Sequence, residues 1–273
     1  MASPQRSQTQ TRVPLPRLLR RFWAASLAAE LEYGVNALIE LVAVLGNLAG
    51  SLFVLSLFYR HGRDLGGWSW DQALVVLGLY TLLDGLTTAL LQPNLGALVN
   101  HVQRGTLDYV LLKPVDSQLW LSLRSLSPWG APGMLLGLAL VVVGVLRSGG
   151  PPTPAALLTG LMLLGAAALL LYSLWFVLAA TSIWFVKVWN ATEVLRATLV
   201  AGRYPISAYP AGLRLLFTLV LPVAFLTTVP AEALLGRASA PMVLTAAVVA
   251  AVALAISRLF WLFALRHYTS ASS

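Results

Sequence analysis

No cysteine occurs among the 273 residues, which excludes a disulfide framework, thiolate metal sites and cysteine nucleophiles. Charge is scarce too: Asp, Glu, Lys and Arg together make up 10% of the chain, against roughly 25% in an average soluble domain. The three histidines, His61, His101 and His267, are far apart and have no carboxylates around them at metal-ligand spacing. No G-x-x-x-x-G-K-S/T phosphate loop, H-E-x-x-H or G-x-S-x-G is present, so ATP is not bound in the phosphate-loop manner and no zincin or serine-hydrolase site is expected. The expectation is a chain that is not an enzyme and carries no metal or cofactor of its own.

What fills the chain instead is apolar: 58% hydrophobic residues and a mean hydropathy of +0.79. A water-soluble globule is excluded by that composition, whereas the length suits six bilayer-crossing helices of roughly 20 residues each. The fold class expected is all-α: a polytopic membrane protein with six transmembrane helices, an N-terminal interfacial helix and a compact loop between the second and third spans. Residues 1–34 form a tail and interfacial helix, 35–266 the membrane domain and 267–273 a second tail. In the interfacial helix, 17–33, Arg20 and Arg21 sit among headgroups and Phe22, Trp23 and Leu27 enter the acyl boundary. The spans are expected at 35–58, 73–99, 126–146, 155–186, 213–229 and 242–265. The second is read as interrupted at Asp84 and Gln92-Pro93, the third as containing Pro128 and Pro132, and the fifth as containing Pro222. Residues 187–214 are read as a polar inner stretch whose first half is a surface helix.

Of the 18 Lys and Arg residues, this arrangement puts fourteen on one side, including Arg196, Arg203 and Arg214, and four on the other, Arg60, Arg63, Arg147 and Arg237. The positive-inside rule then makes both termini cytoplasmic. The formal charge of +8 is thereby a topology signal, and nucleic acid is not expected as a partner. Asp84 stands out within a span and must face a packed interior or a wet cavity. It is read either as a hydrogen-bonded clamp between helices or as a residue of a substrate or ion path, with Thr81, Thr87 and Thr88 on the same face. Glu40, nearer the inner end of the first span, is the other carboxylate at depth. Gly46/Gly50 and Gly133/Gly137, with Gly144 beyond, have the spacing of close helix contacts.

The loop from Arg104 to Asp116 is the most informative stretch. Thr106 is placed to cap a short helix, Lys113-Pro114 to end it and Asp116 to cap the next. Leu107, Tyr109, Val110, Leu111 and Leu112 are too many apolar residues for a solvated loop, so this knob is buried against the bundle, rests on lipid or fits a groove on a partner.

Four patterns in the same order carry a resemblance: Arg104-Gly105-Thr106-Leu107-Asp108 through Leu111 to Lys113-Pro114; Gly202-Arg203-Tyr204-Pro205 with Tyr209-Pro210; Pro222-Val223-Ala224-Phe225 followed by Pro230 to Gly236; and the tail Tyr268 to Ser273. From about residue 17 onward the chain resembles the ABC-2 type permeases, specifically a bacterial ABC-2 family transporter subgroup. The resemblance implies a permease half that dimerises with a second copy or a paralogue. It implies docking to a separately encoded ATP-binding cassette subunit that binds the ATP, and residence in the bacterial inner membrane among its lipids, mostly as an exporter. It also implies that residues 101–118 are the helix coupling permease to ATPase, with Arg104, Gly105, Leu107, Asp108, Leu111, Lys113 and Pro114 as its working residues, and that about 227–240 is re-entrant. Asp108, Lys113 and Arg104 would orient the knob and pair with partner charges while Leu107 and Leu111 anchor it. The rival reading is a six-span anchor that recruits a cytoplasmic partner without moving solute.

Overall fold

The computed structural model describes residues 15–31, 34–60, 65–185 and 195–268. The tail with Arg6 and Arg12, His61 and Arg63, the surface helix expected from Lys187, and the end after Tyr268 lie outside them. Among the described residues all regular structure is helical. We label the main elements α1 (Leu15–Leu31), α2 (Gly34–Arg60), α3 (Trp70–Gln103), α4 (Leu107–Leu111), α5 (Ser117–Leu123), α6 (Pro128–Gly149), α7 (Pro154–Ile183), α8 (Ala211–Val220), α9 (Val223–Leu234) and α10 (Ala240–His267). Five of these are long and apolar enough to cross a membrane: α3, α6, α7, α10 and α2 from Leu38 onward. The all-α polytopic reading stands.

Local chemistry starts these helices. The Ser69 hydroxyl accepts from the Gln72 amide while the Gln72 side chain accepts from the Ser69 amide, a capping box at the head of α3. Thr153 accepts from the Ala156 amide at 3.2 Å, with Pro154 following it. Pro128 and Pro132, expected inside the third span, occupy the first turns of α6 instead, where a missing N–H costs nothing.

The second span is not interrupted. α3 runs unbroken through Pro93 because residues Thr87–Leu91 widen into a π-turn, the Gln92 amide donating to the Thr87 carbonyl. The carbonyls that this shift releases find new donors. The Ser127 amide donates to Ala89 O at 2.8 Å, and the buried Asn94 side-chain amide donates to both Leu90 O and Ser125 O at 2.7 Å. Asn94 also accepts from the Ser125 amide. The proline is thus accommodated by α6's lead-in, and Asn94 ties the two together.

α3 and α6 pack backbone against backbone. A Cβ on Gly85 would fall 2.6 Å from Met134 N, and one on Gly137 would strike the Leu82 backbone. The Gly133/Gly137/Gly144 series therefore works as expected. Gly46 and Gly50 do not: nothing approaches either within 4 Å. α2 instead packs through its last turns, where buried Leu55 meets Leu65, Ala73 and Leu74, and Leu38, Ile39, Val42 and Phe53 stay more than half exposed.

The two ends of α3 define two ends of the molecule. At the Trp70 end lie the hairpin before it and the turn joining α6 to α7, with Gln72, Gly149, Thr153 and Arg237 around one cavity. At the Gln103 end lie the loop 104–127, the end of α7, where Trp184 stacks near Phe260 and Phe263, and the end of α10.

This frame corrects the fifth span. Segment 195–208 climbs along α3 from one level to the other: Arg196 reaches Asp84, Arg203 reaches Tyr80, Tyr204 meets Phe58, and a Cβ on Gly66 would fall 2.7 Å from Ser207. Segment 195–208, the described part of the polar stretch, thus runs from the depth of Asp84 to the Trp70 end, the course of a fifth crossing. α8 and α9, bent by 73° at Leu221-Pro222, begin beside Ser207, whose carbonyl accepts from Arg214 at 2.9 Å. They end where Leu234 packs on Gly160 and Arg237 lies over Trp68. Both ends of the pair therefore lie at the Trp70 end, which makes it a re-entrant pair rather than a span. Hydropathy misses the true crossing because Arg196 and Arg203 have their partners on α3, far away in sequence.

Candidate functional site

Two features stand out: the knob at the Gln103 end and a polar cluster inside the bundle. The knob begins with a defined helix stop. Gly105 N donates to Val102 O at 3.2 Å and Thr106 N to His101 O at 2.9 Å, with Gly105 at φ +65°, the left-handed turn that closes a Schellman motif and favours glycine. Thr106 does not cap α4 with its side chain. Its hydroxyl pairs with His101 Nδ1 at 2.8 Å, while His101 Nε2 faces Arg124 at 3.3 Å. Arginine only donates, so Nε2 accepts and Nδ1–H donates to Thr106.

α4 divides into two faces. Leu107 and Val110 are buried in the main core, so Leu107 anchors the knob to its own bundle. Tyr109 and Leu112 are 71% and 81% exposed, with Leu111 on the same outer side. Asp108 faces Tyr268 at the end of α10. Burial, followed by the neighbouring Asp108 carboxylate, pushes the Tyr268 phenol up. Lys113 lies over the Trp120 ring at 3.9 Å, and burial together with the Arg124 charge pulls its ammonium below the usual lysine range. Arg104 caps the end of α3 and is exposed, as is Pro114 beyond α4.

α5 straps this knob to the bundle. Asp116 caps it by accepting from Leu119 N at 3.0 Å and receives both Arg258 nitrogens of α10, at 2.6 and 3.1 Å. Burial raises the Asp116 carboxyl, but the Arg258 hydrogen bonds and the Leu119 amide outweigh it and hold it below the usual carboxylate range. Gln118 donates to Tyr172 of α7 at 3.2 Å, and Trp261 of α10 donates to Ser117 at 3.0 Å. α1 braces the other side of α5. Trp23 donates to Leu123 O at 2.8 Å, Ser26 to Leu126 O at 3.0 Å, and Phe22 meets Trp120 edge-on. Phe22 and Trp23, expected in the acyl boundary, are thus spent on the loop, because the indole N–H and ring edge find better partners there.

Inside the bundle, Asp84 Oδ1 stands 3.6 Å from Arg196 Nη2, each side chain about one-third exposed. By helical rise Asp84 lies about 21 Å along α3 from its Trp70 end and about 28 Å from its Gln103 end. The pair separates two spaces. One is a cleft of about 110 Å³ between α2, α3 and α6, reached by Glu40, Asn47, Thr81 and Thr88. The other is a pocket of about 20 Å³ behind it, against Trp175, Leu199 and Thr227. Sequence reasoning placed Asp84 at depth and set Thr81 and Thr88 beside it, but missed Arg196 and the Arg203–Tyr80 contact, whose only local signal was two arginines in a stretch without an apolar run.

A helical membrane bundle with a strapped knob at one end and a charged cleft at mid-depth defines a polytopic membrane protein built around an internal polar region. The family profile described as ABC-2 family transporter protein matches residues 45–272; the chain belongs to that family, whose members are the membrane permeases of ABC transporters. Neither the curated proteins nor the solved structures compared gave a match.

Proposed function

We propose that this chain is one permease half of an ABC exporter in the bacterial inner membrane, with both termini cytoplasmic. It pairs with a second permease half and is driven by a separate ATP-binding cassette subunit that grips the knob. The observation carrying this reading is the division of α4 into two faces. Leu107 and Val110 fix it inward, while Tyr109, Leu111 and Leu112 point outward on a lever tied through Asp116 to α10. An isolated apolar side chain of this size gains about 1.5–3 kcal/mol on burial, which suits a stable grip on a partner cleft.

Displacement of the knob would pass through Asp116–Arg258 and Gln118–Tyr172 to α10 and α7, rocking the half so that its inner path opens to the other side. Gly105 keeps the lever's hinge tight, Arg104 offers a charge at its base, and Asp108 and Lys113 set its orientation through Tyr268 and Trp120. Asp84 and Arg196 line the path, where a guanidinium and carboxylate in loose contact can separate as the cleft changes shape.

Leu112→Asp tests the grip. Burying the new carboxylate against the partner should lower affinity for the ATPase subunit by about a hundredfold, some 3 kcal/mol, while the permease still inserts. Undiminished stimulation of ATP hydrolysis by the L112D permease would refute the assignment.

A further inference from the structure

A cavity larger than the cleft at Asp84 lies away from both that cleft and the knob. It is an apolar groove of about 620 Å³ on the flank of the bundle, between α3, α5, α7 and α10, within the roughly 300–1,000 Å³ of small-molecule sites. Its walls are Leu86, Leu90, Gly165, Ala168 and Leu169, and Leu169 is nearly half exposed at its rim. Along α7 it extends from Gly165 to Tyr172, about 10 Å by helical rise. Polarity is confined to the end nearest the knob. There the Asp116 and Arg258 side chains, 42% and 43% exposed, hold one charge of each sign, with Gln118 and the hydroxyls of Tyr172 and Ser122 behind them. None of the described residues enters at Gly165: a Cβ there would meet no atom within 4 Å.

We propose that this groove binds one zwitterionic phospholipid, its acyl chain along Gly165 and Leu86 and its headgroup across the Asp116–Arg258 pair. The argument is charge complementarity. Arg258 presents donors to a phosphate and Asp116 presents acceptors to an ammonium group, so the mouth as a whole is neutral and dipolar. An anionic headgroup meets the Asp116 carboxylate, whereas phosphatidylethanolamine satisfies both. Because Asp116 also caps α5, the bound headgroup touches the strap that carries the knob.

The full chain, purified from nanodiscs of phosphatidylethanolamine and phosphatidylglycerol and weighed by native mass spectrometry, tests this. The native protein should retain phosphatidylethanolamine in preference to phosphatidylglycerol. Gly165→Trp, which fills the groove, should lose the retained lipid at least tenfold, while Leu135→Trp, on the exposed face of α6 and outside the groove lining, should keep it. Asp116→Asn, still a competent helix cap, leaves the Arg258 charge with only the neutral Gln118 Oε1 as acceptor and should shift the preference to phosphatidylglycerol. Should G165W not accumulate in the membrane, the selectivity shift of D116N decides alone. Equal retention by G165W, an unchanged lipid ratio in D116N, or cross-linking of Leu169→Cys to a second copy of the chain would each overturn the proposal.

Discussion

Gly105 is where a single side chain decides the geometry of the knob. Its φ of +65° costs an L-residue on the order of 1–2 kcal/mol, and the Schellman bonds to His101 and Val102 hold it there. Gly105→Ala should accordingly speed amide exchange across 106–113 by about tenfold in hydrogen-exchange measurements, with the rest of the bundle unaffected; unchanged exchange would show that the loop does not depend on this turn. At mid-depth, Arg196→Gln removes one partner of a pair whose carboxylate then sits alone in the bilayer, an arrangement that costs several kcal/mol when fully buried and less for a group one-third exposed. The single variant should lose about 1–3 kcal/mol in a reversible unfolding measurement and Asp84→Asn/Arg196→Gln should recover most of it, giving a positive coupling in the double-mutant cycle. Additive losses would mean that the 3.6 Å approach carries no coupling.

At the level of helices, the contrast between two glycine series separates packing from open surface. Gly137→Ala forces α3 and α6 apart and should cost about 1–3 kcal/mol, whereas Gly46→Ala, inside α2 on a face no described residue touches, should cost nothing and raise the stability of the isolated chain by at most about 1 kcal/mol, alanine being the better helix former. The α5–α10 strap carries a pH signature. Asp116 is held below its ordinary range, so its pairing with Arg258 stabilises the fold above the unfolded carboxylate value of about 3.9 and is lost as pH falls further through the folded value. With both groups about two-fifths exposed, the gain is at most about 1 kcal/mol, and Asp116→Asn should flatten that acid slope in a stability-against-pH titration. The apolar runs made α2, α3, α6, α7 and α10 legible, and the turn chemistry of Pro114 and Asp116 made the knob legible. What escaped was compensation from afar. The π-turn at Pro93 is supported by Ser127 and by Asn94 reaching Ser125, and the fifth crossing by Asp84 and Tyr80 masking arginines that read as inner-face charges. No periodicity within a segment encodes such partners.

For the whole molecule, moving the fifth crossing changes which residues share a side. Arg203 and Arg214 leave the basic side and Arg196 falls between the ends, so the expected excess drops from fourteen against four to eleven against six. Its direction survives. The strap, the knob and the end of α10 lie together at the Gln103 end, opposite the re-entrant pair α8–α9. Because the native chain has no cysteine, single thiols report on this arrangement without background. Ala211→Cys, exposed at the head of α8, should react with a membrane-impermeant maleimide from the outside of intact cells, and Gly105→Cys only after the inner face is exposed; labelling of both from one side would show that the fifth crossing is misplaced.

The most direct test of coupling uses the same background. With Leu112→Cys as the sole thiol in the permease, a short thiol-to-amine cross-linker should join it to the ATP-binding cassette subunit in membranes, while Leu107→Cys, facing the core, should yield no product. Cross-linking at both positions, at neither, or at Leu107 alone would contradict the claim that the outer face of α4 is the handle through which ATP drives this permease.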